Sequence, residues 1–324
     1  MKKKLIVLSL VLITFLYLLY EFKIHTETGE YIANYKDSLA SKTGKYVVIY
    51  NPPIIIDTET MEVAPLIRDV FETGIVYRIF VSDNTIYCLM YGQDVKVLAI
   101  NTNDFSYKTI YSQNENFDVF GVELSDFSYE QFQKDNISLF YVNDKRIYIY
   151  NEELKTITEE NLITKQSHFV MSGVNKPIFE NSVFYYIDDN YSVYSYDISK
   201  QEKREIITDV PVDNIYKTKD KLWFSIVATN QIGYYFDKRI YMTDIFSSEF
   251  AVDGNCIYYT DNNNLFYYDK DGEKKQLTDF FVSYISILSD TDLIYCYGFD
   301  STARHILLNK RTGKIVFEYR ESTN

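Results

Sequence analysis

Glycine, proline, tryptophan, cysteine and histidine are all scarce in this chain: 11, 5, 1, 3 and 3 among 324 residues. Few glycines leave little backbone able to wrap a phosphate, and the sequence holds neither a Walker loop nor a glycine-rich dinucleotide fingerprint. The nucleophile elbow Gly-x-Ser-x-Gly and the zinc motif His-Glu-x-x-His are also missing. Cys88, Cys256 and Cys296 are an odd set with no Cys-x-x-Cys spacing and no histidine cluster beside them, so neither a disulfide framework nor a zinc site is expected. Each lies in an apolar run, where a thiol behaves as a small hydrophobe; a Cys256–Cys296 bridge is the one pairing left open.

Positive charge is also short, with 33 basic against 46 acidic residues. Removing Lys2, Lys3, Lys4, Lys23 and Glu21 leaves 29 and 45, so the remainder sits near −16. A chain of that sign repels nucleic acid and anionic lipid. It suits solubility, a cationic ligand or a basic polymer.

Only one long apolar run occurs, Leu5 to Tyr20, directly after Lys2-Lys3-Lys4. That order is a positive n-region followed by an h-region, and it predicts a cytoplasmic amino terminus with the rest exported. No small residue for a cleavage site occurs between Leu16 and His25. Residues 1–24 are therefore read as an uncleaved signal anchor, a transmembrane helix holding the protein at the cell membrane through residues 5–20. The alternative is a signal peptide whose cleavage releases a secreted protein. A lipoprotein is excluded, because the first cysteine is Cys88.

What the chain has in abundance is tyrosine (32) and phenylalanine (22). Such residues favour pleated, half-buried surfaces. They recur in units. Asn255–Thr278 reads as three short strands joined by Asp-Asn-Asn and Lys-Asp-Gly turns. The turn before the third strand begins with Asp or Asn in seven copies: Asp57, Asn101, Asn151, Asp197, Asp237, Asp269 and Asn309. Their spacings of 44, 50, 46, 40, 32 and 40 average 42. A multi-strand unit of that period predicts an all-β propeller of about seven four-stranded blades over residues 44–320, with six or eight blades also compatible.

Patterning within the unit agrees. The first quoted strand is continuously apolar, as in Val183–Ile187, which requires burial on both faces. The last is charged, as in Lys203–Thr208 and Glu273–Thr278, which suits an exposed outer edge. An innermost strand precedes each unit, for example Phe250–Val252 and Phe281–Ile287. Residues 25–43 are assigned to a stalk or closing segment, with Tyr31–Tyr35 placed beside the final blade. Gln113–Gln133 departs from the repeat and is read as an inserted loop, with a short helical turn around Tyr129–Lys134.

Tyr258-Tyr259-Thr260-Asp261 resembles the Tyr-Trp-Thr-Asp repeat of low-density-lipoprotein-receptor-type propellers, with tyrosine in place of tryptophan. Phe184–Asp188 and Phe140–Asp144 are weaker echoes. In style the repeat over residues 40–320 resembles a bacterial propeller family of unknown function related to those receptors. The resemblance implies the fold and an exported location. It supplies no catalytic residues, and the receptor-type relatives usually have six blades where seven are counted here.

No catalytic constellation emerges. His25 falls in the stalk, His168 at the start of a blade beside Phe169-Val170-Met171, and His305 in a strand of the last blade. Trp223, within Leu222-Trp223-Phe224, reads as core. Acidic turns carry Asp94, Asp188, Asp189, Asp261 and Asp300. Turns of this position share one face of a propeller, so Asp188, Asp189, Asp261 and Asp300 are the candidates for holding Ca²⁺ at the channel mouth; ordinary turn hydrogen bonding is the competing explanation. Tyrosine-rich turns offer a stacking surface for a peptide or glycan. The expected function is a non-enzymatic binding or protein-interaction module. The alternative is a propeller-type hydrolase or lactonase with a central metal.

Overall fold

The computed structural model describes residues 32–33, 40–66, 74–113 and 137–320, apart from 44, 50–52, 83, 93–94, 144, 181, 270, 289–290 and 300–301. The anchor, the Gln113–Gln133 insertion beyond Gln113, Asp94, Asp300 and His25 lie outside these residues. Among the described residues no helix is long and apolar enough to cross a membrane.

Among the described residues every regular element is a strand, and seven sheets of four consecutive strands follow one another along the chain. Blade one comprises β2 (Ala40–Thr43), β3 (Tyr46–Ile49), β4 (Ile54–Asp57) and β5 (Val63–Pro65). Blade two comprises β6 (Gly74–Ser82), β7 (Thr85–Gly92), β8 (Val95–Asn101) and β9 (Tyr107–Gln113). Blade three comprises β10 (Ile137–Asn143), β11 (Arg146–Asn151), β12 (Thr156–Asn161) and β13 (Ser167–Ser172). Blade four comprises β14 (Asn175–Glu180), β15 (Val183–Ile187), β16 (Val193–Asp197) and β17 (Glu202–Ile207). Blade five comprises β18 (Val212–Lys217), β19 (Leu222–Ile226), β20 (Gln231–Phe236) and β21 (Arg239–Phe246). Blade six comprises β22 (Phe250–Asp253), β23 (Cys256–Asp261), β24 (Asn264–Tyr268) and β25 (Lys274–Gln276). Blade seven comprises β26 (Val282–Ile287), β27 (Leu293–Phe299), β28 (Ala303–Asn309) and β29 (Ile315–Arg320). We refer to the four strands of a blade as A to D.

First strands touch first strands between neighbouring blades, β26 to β2, β2 to β6, β6 to β10, β14 to β18 and β22 to β26, so the A strands line the axis. The burial gradient follows. β19 is buried at Leu222, Trp223, Phe224 and Ser225, whereas β17 exposes Glu202 to Glu205 and β25 exposes all three residues. Charged D strands therefore form the rim, where they discourage edge pairing. Their lysines also cover aromatic rings: Lys203 Nζ sits 3.7 Å from the Tyr194 ring centroid and Lys274 Nζ 4.7 Å from that of Phe266. An aromatic ring on a C strand and lysine on a D strand are thus one device, an ammonium held over a ring face.

The core is divided among blade interfaces. Val48 and Ile55 of blade one pack with Ile79, Ile86 and Leu98 of blade two. Blades five, six and seven share another cluster containing Trp223, Phe250, Tyr258 and Ile306. The ring closes where Val47, Ile49, Ile54 and Ile56 of blade one meet Leu288, Tyr295 and Leu307 of blade seven. Among the described residues no strand is exchanged at that seam, because both sheets are built from contiguous chain.

Turn chemistry sets the repeat. At the C–D turns Asp57, Asn101, Asn161, Asp197 and Asn309 each accept backbone N–H bonds on Oδ1, and the fifth residue of each turn has positive φ: Met61 59°, Phe105 56°, Lys165 58°, Gln201 54° and Gly313 72°. The side-chain oxygen replaces a backbone acceptor while the left-handed residue re-enters the ladder. Blade six uses Asp269 with Gly272 at 85°, and blade five uses a two-residue turn, Asp237-Lys238, with φ of 47° and 59°. The blade-three landmark is therefore Asn161 rather than Asn151. Asn151 lies at the B–C turn, and it is deceptive because it makes the same loop: Leu154 N–H donates to its Oδ1 at 2.8 Å and Lys155 has φ 51°. One strand of slippage followed, and His168 falls on β13, the exposed outer strand of blade three, not at the start of the next blade.

Gly313 is the one C–D turn where glycine is required on two counts. Its φ is positive, and a Cβ would run into the Leu277 carbonyl oxygen of blade six. Gly313→Ala is expected to cost about 1–3 kcal/mol, read as a fall in the unfolding midpoint; Gln201→Ala, at the equivalent φ without such a neighbour, is expected to cost less than about 1 kcal/mol.

β1 (Ile32–Ala33) adds a fifth strand to blade four. It lies antiparallel on the inner edge of β14, Ile32 opposite Glu180 and Ala33 opposite Phe179. The expected position beside the final blade is corrected by this pairing. All seven A strands have an inner edge of the same kind, so nearness of chain ends does not choose among them. The residue range set aside for a stalk also contains β2, the A strand of blade one.

Candidate functional site at one end of the ring

A strands run toward the end of the ring that carries the A–B and C–D turns. The opposite end carries the B–C turns and D–A connections. Five A strands bulge in their first residues at this second end, between Val76 and Arg78, Ile137 and Leu139, Asn175 and Ile178, Val212 and Asn214, and Val282 and Tyr284. A bulge breaks the ladder and re-aims backbone groups, and such features gather beside functional sites. At the blade-seven bulge the Ile285 N–H is taken by Glu249 Oε1 at 3.1 Å, from the connection between blades five and six. At the blade-four bulge Lys176 has φ 49°, and its Nζ donates to the Asp213 carbonyl at 2.9 Å and to Asp213 Oδ1 at 3.2 Å.

The two ends differ in charge. Among the described residues of blades three to seven, the B–C and D–A connections hold seven carboxylates (Glu152, Glu153, Asp188, Asp189, Asp209, Glu249 and Asp279) and one base, Lys155. The A–B and C–D turns of the same blades hold six carboxylates and nine bases. Exposed large apolar side chains occur at both ends: the acidic end of these blades presents Leu154 (65% exposed), Tyr191 (49%), Phe246 (57%), Phe281 (41%, ahead of β26) and Phe299 (53%), and the opposite end presents Ile163 (66%), Phe236 (43%) and Ile315 (39%). Each sits in or next to a turn.

The sequence singled out the acidic turns but not these apolar residues, apart from treating tyrosine-rich turns as a stacking surface. A usable signal was present. Phe246-Ser-Ser, Phe281 after Asp279 and Phe299-Asp-Ser place a large apolar residue where the strand pattern stops.

The described metal candidates serve the turn and its neighbours. Asp188 Oδ1 accepts the N–H groups of Asn190 and Ser192, both at 2.9 Å, and so shapes its own turn. Asp189 forms an ion pair with Lys155 of blade three, and that hydrogen bond holds its carboxyl below the usual aspartate range. Asp261 lies two blades further on, 3.2 Å from Lys274 Nζ. Among the described residues no group of three or more His, Cys, Asp or Glu side chains converges as metal ligands would.

His305 is buried in blade seven, with Nδ1 2.9 Å from the Tyr295 hydroxyl and its ring packed on Tyr297 and Tyr319. Trp223 is core, as expected. All three cysteines are free, which removes the Cys256–Cys296 bridge. Burial pushes the Cys88 and Cys296 thiols up, whereas Cys256 is half-buried with Sγ 3.4 Å from the Tyr267 hydroxyl. Because the thiolate is the reactive form, Ellman's reagent is expected to label at most Cys256 in the native protein and all three after unfolding. Rapid native labelling of Cys88 or Cys296 would contradict the strand register at blades two and seven.

No protein-family model and no curated protein matches the chain. The likeness of Tyr258–Asp261 to receptor-type repeats therefore carries no family assignment. Among solved structures, the chain resembles PorZ, an essential bacterial surface component of the type-IX secretion system of Porphyromonas gingivalis, at 11% identity and a TM-score of 0.56, over 91% of this chain and 39% of that one. It resembles the β-propeller domain of the Trilobed protease from Pyrococcus furiosus, which has an open velcro topology, at 12% identity and a TM-score of 0.50, over 75% and 82% of the two chains. Against Kluyveromyces lactis Hsv2 it spans 54% of its own length and 60% of the other, at 12% identity and a TM-score of 0.44. The chain thus spans less than two thirds of PorZ and of Hsv2. The likenesses to PorZ and to the Trilobed protease domain bear on the fold alone, and they agree with the strand order, an all-β propeller of seven four-stranded blades.

Proposed function

We propose that this protein is a membrane-tethered, extracytoplasmic propeller that acts as a non-enzymatic binding module, with the B–C and D–A end of the ring as its binding face. The observation that supports this reading most is the charge of that end, seven carboxylates against one base in its described connections, set beside five exposed large apolar side chains. The tether rests on Lys2-Lys3-Lys4 followed by Leu5–Tyr20, and the secreted form differs only in whether that segment is cut. A protein, peptide or glycan partner is favoured over nucleic acid by the net charge of −13.

The test is co-purification from solubilised envelope, using the full chain and the variant Tyr191→Asn/Phe246→Ser/Phe299→Ser. A partner retained by the first and lost by the second is the expected result. Retention by both places the binding face elsewhere, and retention by neither removes the binding-module reading. Mass spectrometry of the amino terminus decides between tethered and released forms.

A further inference from the structure

We infer that the partner engages this face through a basic polypeptide segment carrying interspersed apolar side chains, laid across the turns of blades three to seven. The inference rests on the binding-module reading and gives it a ligand chemistry. Charge complementarity commits it to that occupant. The described connections at this end carry seven carboxylates against one base, while the opposite end of the same blades carries nine bases against six carboxylates. The asymmetry lies between the ends of one ring, so the overall acidity of the chain does not account for it.

The apolar residues argue against a purely ionic ligand. Leu154 and Tyr191 sit in the B–C turns of blades three and four, Phe246 and Phe281 flank D–A connections, and Phe299 ends the B strand of blade seven. They alternate along the chain with carboxylates: Glu153 precedes Leu154, Asp189 precedes Tyr191 by two residues, and Asp279 precedes Phe281 by two. A segment that pairs lysine or arginine with the carboxylates sets its intervening side chains against these apolar neighbours. Glu153, Asp209 and Asp279 are exposed and available for such pairing. Anionic lipid is disfavoured on the same ground, because this end would repel it. Salt weakens contacts between exposed charges, whereas apolar contacts persist, so the two contributions separate experimentally.

The experiment uses the full chain in neutral-lipid nanodiscs, with empty nanodiscs as blank. Fluorescence anisotropy follows three labelled peptides: Lys-Leu repeats, Lys-Ser repeats and Glu-Leu repeats. The Lys-Leu peptide is expected to bind in the micromolar range, and the Glu-Leu peptide not to bind. Glu153→Lys/Asp209→Lys/Asp279→Lys is expected to weaken Lys-Leu binding about tenfold or more and to flatten its salt dependence. Tyr191→Asn/Phe246→Ser/Phe299→Ser is expected to weaken it about tenfold while leaving the salt dependence in place. Lys145→Glu/Lys314→Glu, at the opposite end, is expected to change it less than about twofold. Inaccessible Cys88 and Cys296 thiols certify that each variant is folded.

Equal binding of Lys-Ser and Lys-Leu peptides, with no effect of the apolar variant, would reduce the face to non-specific charge and overturn the inference. Absence of Lys-Leu binding would overturn it as well. In either case an envelope partner lost from the apolar variant leaves the binding-module reading standing, so the two failures are distinguishable.

Discussion

Phe179→Ala is expected to remove about 3–5 kcal/mol of stability, among the largest losses available from one side chain in this protein. Phe179 is fully buried on β14, where blade four faces blade three. Its ring stacks 5.1 Å from Tyr141 of blade three and meets Phe184 of its own blade edge-on at 4.5 Å and 84°. Tyr148 lies 6.4 Å away and contacts Phe184 as well, at 5.3 Å. Truncation therefore opens a cavity bounded by two blades, neither of which can collapse without moving a sheet. Chemical denaturation with a constant m-value is the measurement. A loss below about 1 kcal/mol would mean that blades three and four do not pack as described. A double-mutant cycle with Phe184→Ala should give a coupling of about 0.5–1.5 kcal/mol, the share owed to ring geometry.

The second large effect is electrostatic. Lys217 ends β18 with only 9% of its side chain exposed, and its ammonium donates to Glu180 Oε1 at 3.0 Å, to the Thr218 carbonyl at 2.6 Å and to the Lys219 carbonyl at 3.1 Å. The pair joins the A strands of blades four and five at one end of the ring, as Lys176 and Asp213 join them at the other. Lys217→Met leaves a largely buried carboxylate with no cation and two carbonyls with no donor. The expected cost is about 3 kcal/mol, at the low end for a broken buried pair because Glu180 keeps some contact with water. Lys217→Met/Glu180→Met should recover a substantial part of that loss, since desolvation of both charges is then avoided. If the double variant is no more stable than Lys217→Met, the pair is not what holds the two strands in place.

The fold was legible because two kinds of information coincide in this sequence. Continuously apolar B strands such as Val183–Ile187 and charged D strands such as Glu202–Ile207 report radial position, and an Asx residue at each C–D turn reports the period. Where one signal occurs without the other, sequence reading slips. The turn at Asn151 has the same chemistry as that at Asn161, and the D strand of blade three, Ser167–Ser172, carries Phe169, Val170 and Met171 instead of a run of charge. A residue pattern alone then assigns those apolar residues to the next blade.

The proposed binding face was only half visible. Acidic turns announce themselves by composition. Exposure of Phe246, Phe281 and Phe299 depends on where neighbouring blades stop, which is a property of packing between sheets far apart in sequence. The pairing of Ile32–Ala33 with blade four was not visible at all, since seven similar inner edges compete for it and two residues carry no pattern.

That pairing has a practical corollary. β1 meets the protein at its hub, on the edge of β14, whereas β29 ends with Arg320 at the periphery. A fluorescent tag or an immobilising linker attached after Arg320 leaves by the outside of the wheel. The same handle fused close to Ile32 must share the axle with seven strands, and a tug applied there is transmitted first to blade four, halfway round from the seam.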